Sequence, residues 1–395
     1  MIQLPRRLQS IDVFRAVVMF FMIFVNDFDD ITNVPEWIKH VPDNADGLGF
    51  ADTIFPAFLF IMGLSIPFAI KNRLAKGDST FKVALYIATR GLALLVMGFF
   101  HVNLEDYSMD ALLPKAAWEL FITIAFFLIW LDYPPQIRKT IRYSLQGLGI
   151  ALLIVLAGLF EGYSETGPKG LSISWWGILG LIGWSYLICA FIFLLSKGKM
   201  YIQIAAFVFL FCFSIAGHSG WLASLSFLYK YVWIISSGSL PALTMAGIVV
   251  SCLYTAMVGK EKSTSFLAIL IVSGIAMIGL GFLLRPIGGI SKVHDTPSWV
   301  AICAGISILL FTGFIYLIDL KQKQAWFKII KPAGTSTLTC YLVPYLLYSF
   351  LGVFGFKYPA VLNDGIAGFL RCVVVTFVVI FITSFLEKKR LRLKI

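Results

Sequence analysis

Charge is scarce in this chain of 395 residues: 13% of positions are Asp, Glu, Lys or Arg, against 59% hydrophobic, and the mean hydropathy is +0.87. Soluble domains carry about 25% charge, so a water-facing globule is excluded at the outset. Cysteine is sparse as well. Its six copies (Cys189, Cys212, Cys252, Cys303, Cys340, Cys372) all fall inside apolar runs without C-x-x-C spacing. That pattern argues for small packing residues and against a disulfide frame or a thiolate metal site. The four histidines show no ligand spacing, so no zinc centre is expected. Phosphate-cradling glycine loops, dinucleotide fingerprints, strong internal repeats and low-complexity tracts are missing too.

What the chain does have is long apolar runs from end to end. A hydrocarbon core of ~30 Å takes about 20 such residues, and only helices satisfy the backbone there. Twelve spans are expected, at roughly 11–27, 51–70, 83–100, 113–131, 143–160, 173–195, 201–218, 237–257, 264–284, 298–319, 334–355 and 365–386. The expected fold is an all-α polytopic membrane helix bundle forming one domain over 1–395. The longest connection is the loop 27–51.

The few charges are sorted by side. With both termini cytoplasmic, 24 of the 32 basic residues lie inside, among them Arg6, Arg7, Arg15, Lys71, Arg90, Lys260 and the cluster at 388–394. Fifteen of the 21 acidic residues lie outside. The basic bias sets orientation. The net charge of +11 therefore reads as topology, with anionic lipid headgroups or a cytosolic polyanion as partners and no call for nucleic acid. The first span begins like a signal peptide, but no small-x-small cleavage site follows, and Asp12 and Arg15 interrupt its start, so it is expected to be retained.

Against this background the segment Asn26–Asp52, NDFDDITNVPEWIKHVPDNADGLGFAD, is the polar exception. Ionisable groups crowded against a span are costly and are read as functional by default. Asn26 closes the first span and Asp52 opens the second, so an amide and a carboxylate form the feet of the loop. A loop folded back into that mouth would bring His40 to both. A histidine oriented by a carboxylate is the usual general base near neutral pH, and an asparagine can donate to a developing oxyanion. A solvated loop histidine is the alternative these residues leave open. The acidic groups Asp27, Asp29, Asp30, Glu36, Asp43 and Asp46 suit a cationic acceptor such as an amino sugar, or simply a solvated face.

Asp12 and Arg15, three apart, share a helix face. They form either an interfacial ion pair, or a site at which Arg15 and Arg90 face a cytosolic vestibule and meet phosphate through the guanidinium fork. Trp37, Trp175, Trp176, Trp221, Trp233 and Trp299 lie near outer ends, where aromatics form belts. Trp37, inside the loop, also suits stacking on a sugar ring. The glycines Gly177, Gly180 and Gly183 could pack helices within the chain or between two copies in a homodimer.

The opening RLQSIDVFRAVVMFFMIFVN, the loop containing KH, and FADTIFPAFLFIMGLSI together resemble the family of heparan-α-glucosaminide N-acetyltransferase and its bacterial relatives. SWWGILGLIGWSYL resembles that family's P-G-V-L-Q-R-L-G-x-x-Y segment, SLPALTMAGIVVSCLY a later small-residue helix, ISKVHDTPSWV an N-K-x-L-W-S-like span entry, and KPAGTSTLTCYLVPYLLYS a G-M-N-S-I-L-x-Y-x-x-H-E segment. The resemblance covers most of the chain and is most specific at Asn–loop–His–Asp–FP.

It implies a transmembrane acetyltransferase of the bacterial inner membrane, moving acetyl from cytosolic acetyl-CoA to a sugar or glycan acceptor on the periplasmic side. His40 matches the family's catalytic histidine, with Asn26 and Asp52 as its supporting residues. Thr335 and Pro344–Tyr345 depart from the family's Asn and His-Glu. An additional helical pair at about 113–160 raises a ten-helix family core to twelve. The rival readings are a transporter exporting a small glycan or anion, which twelve spans would suit, and a non-catalytic membrane assembly or sensor protein.

Overall fold

The computed structural model describes residues 4, 8–163, 167, 169–175, 177–224, 237–258 and 262–395. Arg6, Arg7, Trp176, Trp233 and Lys260 lie outside the described residues. Within them the chain is helical, with isolated β-bridges and no strand.

The helices are α1 Ser10–Phe28, α2 Ala51–Ala75, α3 Thr80–Asn103, α4 Lys115–Trp130, α5 Lys139–Gly158, α6 Ile178–Leu195 and α7 Met200–His218. They continue as α8 Ser239–Val258, α9 Ser263–Leu284, α10 Pro297–Phe314, α11 Phe327–Thr335, α12 Thr337–Val353 and α13 Gly365–Lys388. Among the described residues nine are long and apolar enough to cross a membrane, or ten if α11 and α12 count as one span broken by a 91° bend. Two of the twelve expected spans are not among them: α1, which carries Asp12, Arg15 and Asp27, and α4, which has 16 residues. The stretch expected as one span at 334–355 is broken at Ser336, so α12 begins at Thr337.

The described residues pack as two compact units. The first comprises 1–25, 35–92 and 182–331. Its helices approach through small residues, as membrane helices do when no hydrophobic drive separates lipid from protein. A Cβ on Gly63 would lie 1.9 Å from the Thr244 carbonyl oxygen, and one on Gly247 would lie 2.1 Å from that of Phe60, so α2 and α8 touch backbone to backbone. Ser251 donates to the Leu64 carbonyl at 2.6 Å in the same seam. Gly274 and Gly305 play the same part between α9 and α10. Phe14 stacks on Phe311, and the Phe60 ring meets Phe311 edge-on.

The second unit comprises 26–34, 93–181 and 332–395. Gly98 and Gly180 bring α3 and α6 into backbone contact, and Gly177 packs on Val102, so these glycines are spent inside the chain. The pair α4–α5 closes over the buried Trp118, whose indole donates to the Leu156 carbonyl at 2.9 Å. The chain end is stitched back by Arg392 to Asp132 at 3.2 Å and by the Lys394 amide to the Trp130 carbonyl at 2.8 Å. Thr335 donates to Glu387 at 2.9 Å, and Tyr345 stacks flat on the buried His101 at 4.1 Å.

Candidate active site at the loop before the second helix

The loop residues 35–50 belong to the first unit, and local chemistry decides their course. Pro35 sets a short 3₁₀ turn at Glu36–Ile38, and the Trp37 carbonyl then accepts from the Phe50 amide at 2.7 Å, drawing the loop's two ends together. Gly49 passes so close to the Lys39 carbonyl that a Cβ there would sit 2.0 Å from it. Asp52 stands in the first turn of α2, where a negative charge complements the helix dipole.

That turn builds the carboxylate's environment. Oδ2 of Asp52 accepts from the amides of Gly49 at 3.0 Å and Val41 at 3.1 Å, leaving Oδ1 for Nδ1 of His40 at 2.7 Å. The Asp52 side chain is 3% exposed and the His40 side chain 28%, so the pair has a shielded carboxylate and an imidazole open on one side. An ionised carboxylate only accepts, so the network assigns the proton to Nδ1 and leaves the Nε2 lone pair outward. The Asp52 carbonyl accepts from the indole of Trp299 at 3.2 Å. Trp299 is therefore a fully buried strut under the site, and the belt role expected from its position is corrected.

A residue missed in the sequence completes the group. Nζ of Lys292 lies 3.2 Å from Nδ1 and 3.4 Å from Nε2 of His40. With Nδ1 donating to Asp52, the ammonium's acceptor on the ring is Nε2. Lys292 belongs to the ISKVHDTPSW segment before α10, and its signal was present there as the lysine of the N-K-x-L-W-S-like motif. Asp295, three residues on, is buried, and burial pushes its carboxyl up to about 7 while nearby Lys292 opposes the rise.

The loop is pinned to this segment at a second point. Asp46 accepts from the Ile290 amide at 2.7 Å and from Nε of Arg285 at 2.8 Å, and the Gly47 amide donates to the Ile290 carbonyl at 3.0 Å. The Ile290 amide first, and Arg285 next, hold the Asp46 carboxyl below its ordinary value. Asp43 pairs with His294 at 2.9 Å, both exposed. Trp37 is 67% exposed on the 3₁₀ turn. Asn26 stands in the last turn of α1, exposed and assigned to the second unit.

At the other end of α2 and α3, Arg15 donates to Asp12 at 3.1 Å and to Ser65 at 2.6 Å, so the ion pair is formed. Arg90 lies close enough to Arg15 for the two charges to interact. It also donates to Tyr86 at 3.0 Å and lies over the Tyr186 ring, while Arg73 stacks 3.6 Å above Tyr86. Arg73, Tyr86 and Tyr186 were not anticipated. The result is a basic and aromatic cluster with several guanidinium N–H groups, the donor type that suits phosphate. Among the described residues no group of three His, Cys, Asp or Glu is arranged to hold a metal ion.

A family model described as a domain of unknown function, DUF5009, matches residues 7–233. Human heparan-alpha-glucosaminide N-acetyltransferase is 40% identical over 101 residues, 25% of this chain and 14% of the human protein. Its mouse counterpart is 37% identical over 98 residues, with the same shares covered. The matched stretch thus spans about one seventh of the length of these curated relatives.

Proposed function

The chain belongs to the DUF5009 family and is a relative of heparan-alpha-glucosaminide N-acetyltransferase, and from this premise we propose that it is a transmembrane acetyltransferase. The observation that carries the reading is the His40–Asp52 pair: a partly open imidazole held at 2.7 Å by a carboxylate whose other oxygen is filled by two amides. Acetyl-CoA is the donor, entering from the cytosol, and the acceptor is an amino sugar or other glycan on the periplasmic side of a bacterial inner membrane. The whole chain acts as one integral-membrane acyltransferase domain of twelve spans with both termini cytoplasmic, α4 and α5 being the pair added to the family core.

In this mechanism the Lys292 ammonium turns from Nε2 of His40 towards the thioester carbonyl, and Nε2 takes a proton from the acceptor amine or hydroxyl as that group attacks the carbonyl carbon. Asp52 keeps the proton on Nδ1 and stabilises the imidazolium that forms. Asn26, which the resemblance matches to the family's supporting amide, donates to the carbonyl oxygen as it becomes negative. The tetrahedral intermediate then expels the coenzyme thiolate. Removing one such donor costs ~10²–10³ in rate. Lys292 offers a second donor beside Nε2. Arg15 and Arg90 hold the coenzyme's phosphates, and Trp37 offers an exposed ring to the sugar.

The test is transfer of radiolabelled acetyl from acetyl-CoA to glucosamine by protein in liposomes, with His40→Ala beside the wild type. Near-wild-type transfer by the variant removes the mechanism. A burst of labelled protein before turnover would show an acetyl-histidine route in place of direct attack. A transporter would move a solute without consuming acetyl-CoA, and acetyl-CoA would not raise its thermal stability.

A further inference from the structure

The outer end of α1 is fastened within the second unit by an arrangement that neither the sequence motifs nor the proposed chemistry uses. The last carbonyls of a helix lack intrahelical partners, and cationic donors suit them because the helix C-terminus carries partial negative charge. Here the Asp27 carbonyl accepts from Nη2 of Arg371 at 3.1 Å and from the thiol of Cys372 at 3.3 Å, both on α13.

The Asp27 side chain is fastened in the same place. Its Oδ1 lies 3.5 Å from Nη2 of Arg371 and accepts the Tyr348 hydroxyl from α12. Arg371 also donates to Asn363 and faces the Tyr358 ring at 4.6 Å. Both members of the ion pair are more than nine-tenths buried, 8% and 9% exposed. A buried pair of this kind is a poor source of net stability, because desolvation offsets most of its attraction. It does restrict geometry. Five residues further on, the Thr32 amide donates to the Asn363 carbonyl at 3.0 Å, and the Gly365 amide donates to the Thr32 carbonyl at 2.9 Å, so α1 is held on α13 on both sides of its end.

The residue next to this lock is Asn26. Its amide is exposed and makes no side-chain hydrogen bond among the described residues. A donor that stabilises an oxyanion must be placed before charge develops, and a misplacement of 1 Å can cost about 10² in rate. With no partner on its own side chain, the placement of Asn26 falls to the backbone at 26–28. Arg371 and Cys372 hold that backbone at the Asp27 carbonyl, and Tyr348 fixes the Asp27 side chain beside it.

We infer that Arg371 is a positioning residue for Asn26, acting through Asp27. The inference rests on the reading of Asn26 as the oxyanion donor. A structural brace alone would affect stability, or every kinetic parameter, without regard to Asn26. Positioning couples the two residues in kcat.

The experiment is a double-mutant cycle of Asn26→Ala and Arg371→Gln, reading kcat and KM for acetyl-CoA with glucosamine as acceptor in liposomes. Arg371→Gln is expected to lower kcat by at least tenfold with KM for acetyl-CoA within twofold of wild type. In the Asn26→Ala background the same change should have no further effect. Arg371→Lys should recover part of the rate. Multiplicative losses in the double variant, or a wild-type kcat for Arg371→Gln while Asn26→Ala is impaired, would overturn the inference and leave the proposed chemistry standing. A wild-type rate for Asn26→Ala, or no acetylation of glucosamine by the unmodified protein, removes the underlying reading and the inference with it. If Arg371→Gln does not fold, Tyr348→Phe, which deletes one hydroxyl, takes its place in the cycle with the same expected outcomes.

Discussion

The ammonium of Lys292 lies 3.4 Å from Nε2 of His40, although 252 residues separate them in the chain. It faces the ring atom that the Asp52 hydrogen bond leaves without a proton. A positive donor beside the base marks the region where negative charge would develop on an attacked carbonyl. Lys292→Gln is expected to lower kcat by about 10², within the range seen for loss of one oxyanion donor. KM for acetyl-CoA should stay near wild type. An unchanged kcat would assign Lys292 to holding the loop alone.

Asp52→Asn keeps the size of the side chain and reverses the demand on His40. An amide can present its N–H to Nδ1, which moves the ring proton to Nε2 and removes the outward lone pair. A loss of on the order of 10³–10⁴ in kcat is expected, as for the same change behind a serine-protease histidine. Steady-state transfer measured across pH 6–9 checks it. Recovery to wild-type rates at high pH would argue against a tautomer effect.

Gly49→Ala adds a methyl group 2.0 Å from the Lys39 carbonyl and 3.2 Å from Oδ2 of Asp52. The obstacle is backbone, so the loop must shift. A destabilisation of about 1–3 kcal/mol is expected from overpacking. Thermal unfolding in detergent reads the stability, and the transfer assay should show a larger loss than the Tm change alone predicts.

Two carboxyls near the site titrate with opposite consequences. Asp46 is held below its ordinary value by the Ile290 amide and then by Arg285. Its contribution to stability is therefore present above the unfolded carboxylate value of about 4 and is lost as pH falls through the lower folded value. Asp46→Asn should lose Tm relative to wild type at pH 6, and the difference should shrink below pH 4.

Asp295 runs the other way. Burial raises its carboxyl to about 7, against the pull of Lys292. The folded state then binds the proton more tightly than the unfolded one. Stability falls as pH rises from about 4 to 7, and the penalty is complete above that window. Asp295→Asn should raise Tm most at pH 8 and least at pH 4. Equal Tm differences at both ends would contradict a protonated Asp295 in the folded state.

Much of the site was legible because its parts are near in sequence. His40 and Asp52 are 12 residues apart on the two sides of a loop whose ends must meet, so their pairing followed from the span boundaries. The Asp12–Arg15 pair followed from helical spacing alone. Tyr86, four residues before the anticipated Arg90 on α3, was equally within reach but lacked a reason to be singled out. Lys292 was marked by its motif, but its partner was not within reach, since nothing in a turn 252 residues away states which loop it will face. Trp299 was misread for a related reason. Its place near a span end matched a belt position, whereas it is buried with its N–H on the Asp52 carbonyl.

The apolar composition by itself determined that this is a multispan helical protein, because lipid leaves the backbone no other way to satisfy its polar groups. The spacing of Asn26, His40 and Asp52 around the first loop determined where to look for chemistry. Tertiary structure decided what surrounds the imidazole and what anchors the end of α1. Lys292 and Trp299 reach their places through the glycine seam that packs α9 on α10, and Arg371 through its bonds to Asp27 and Asn363; such close approaches belong to the folded pair and neither segment expresses them alone.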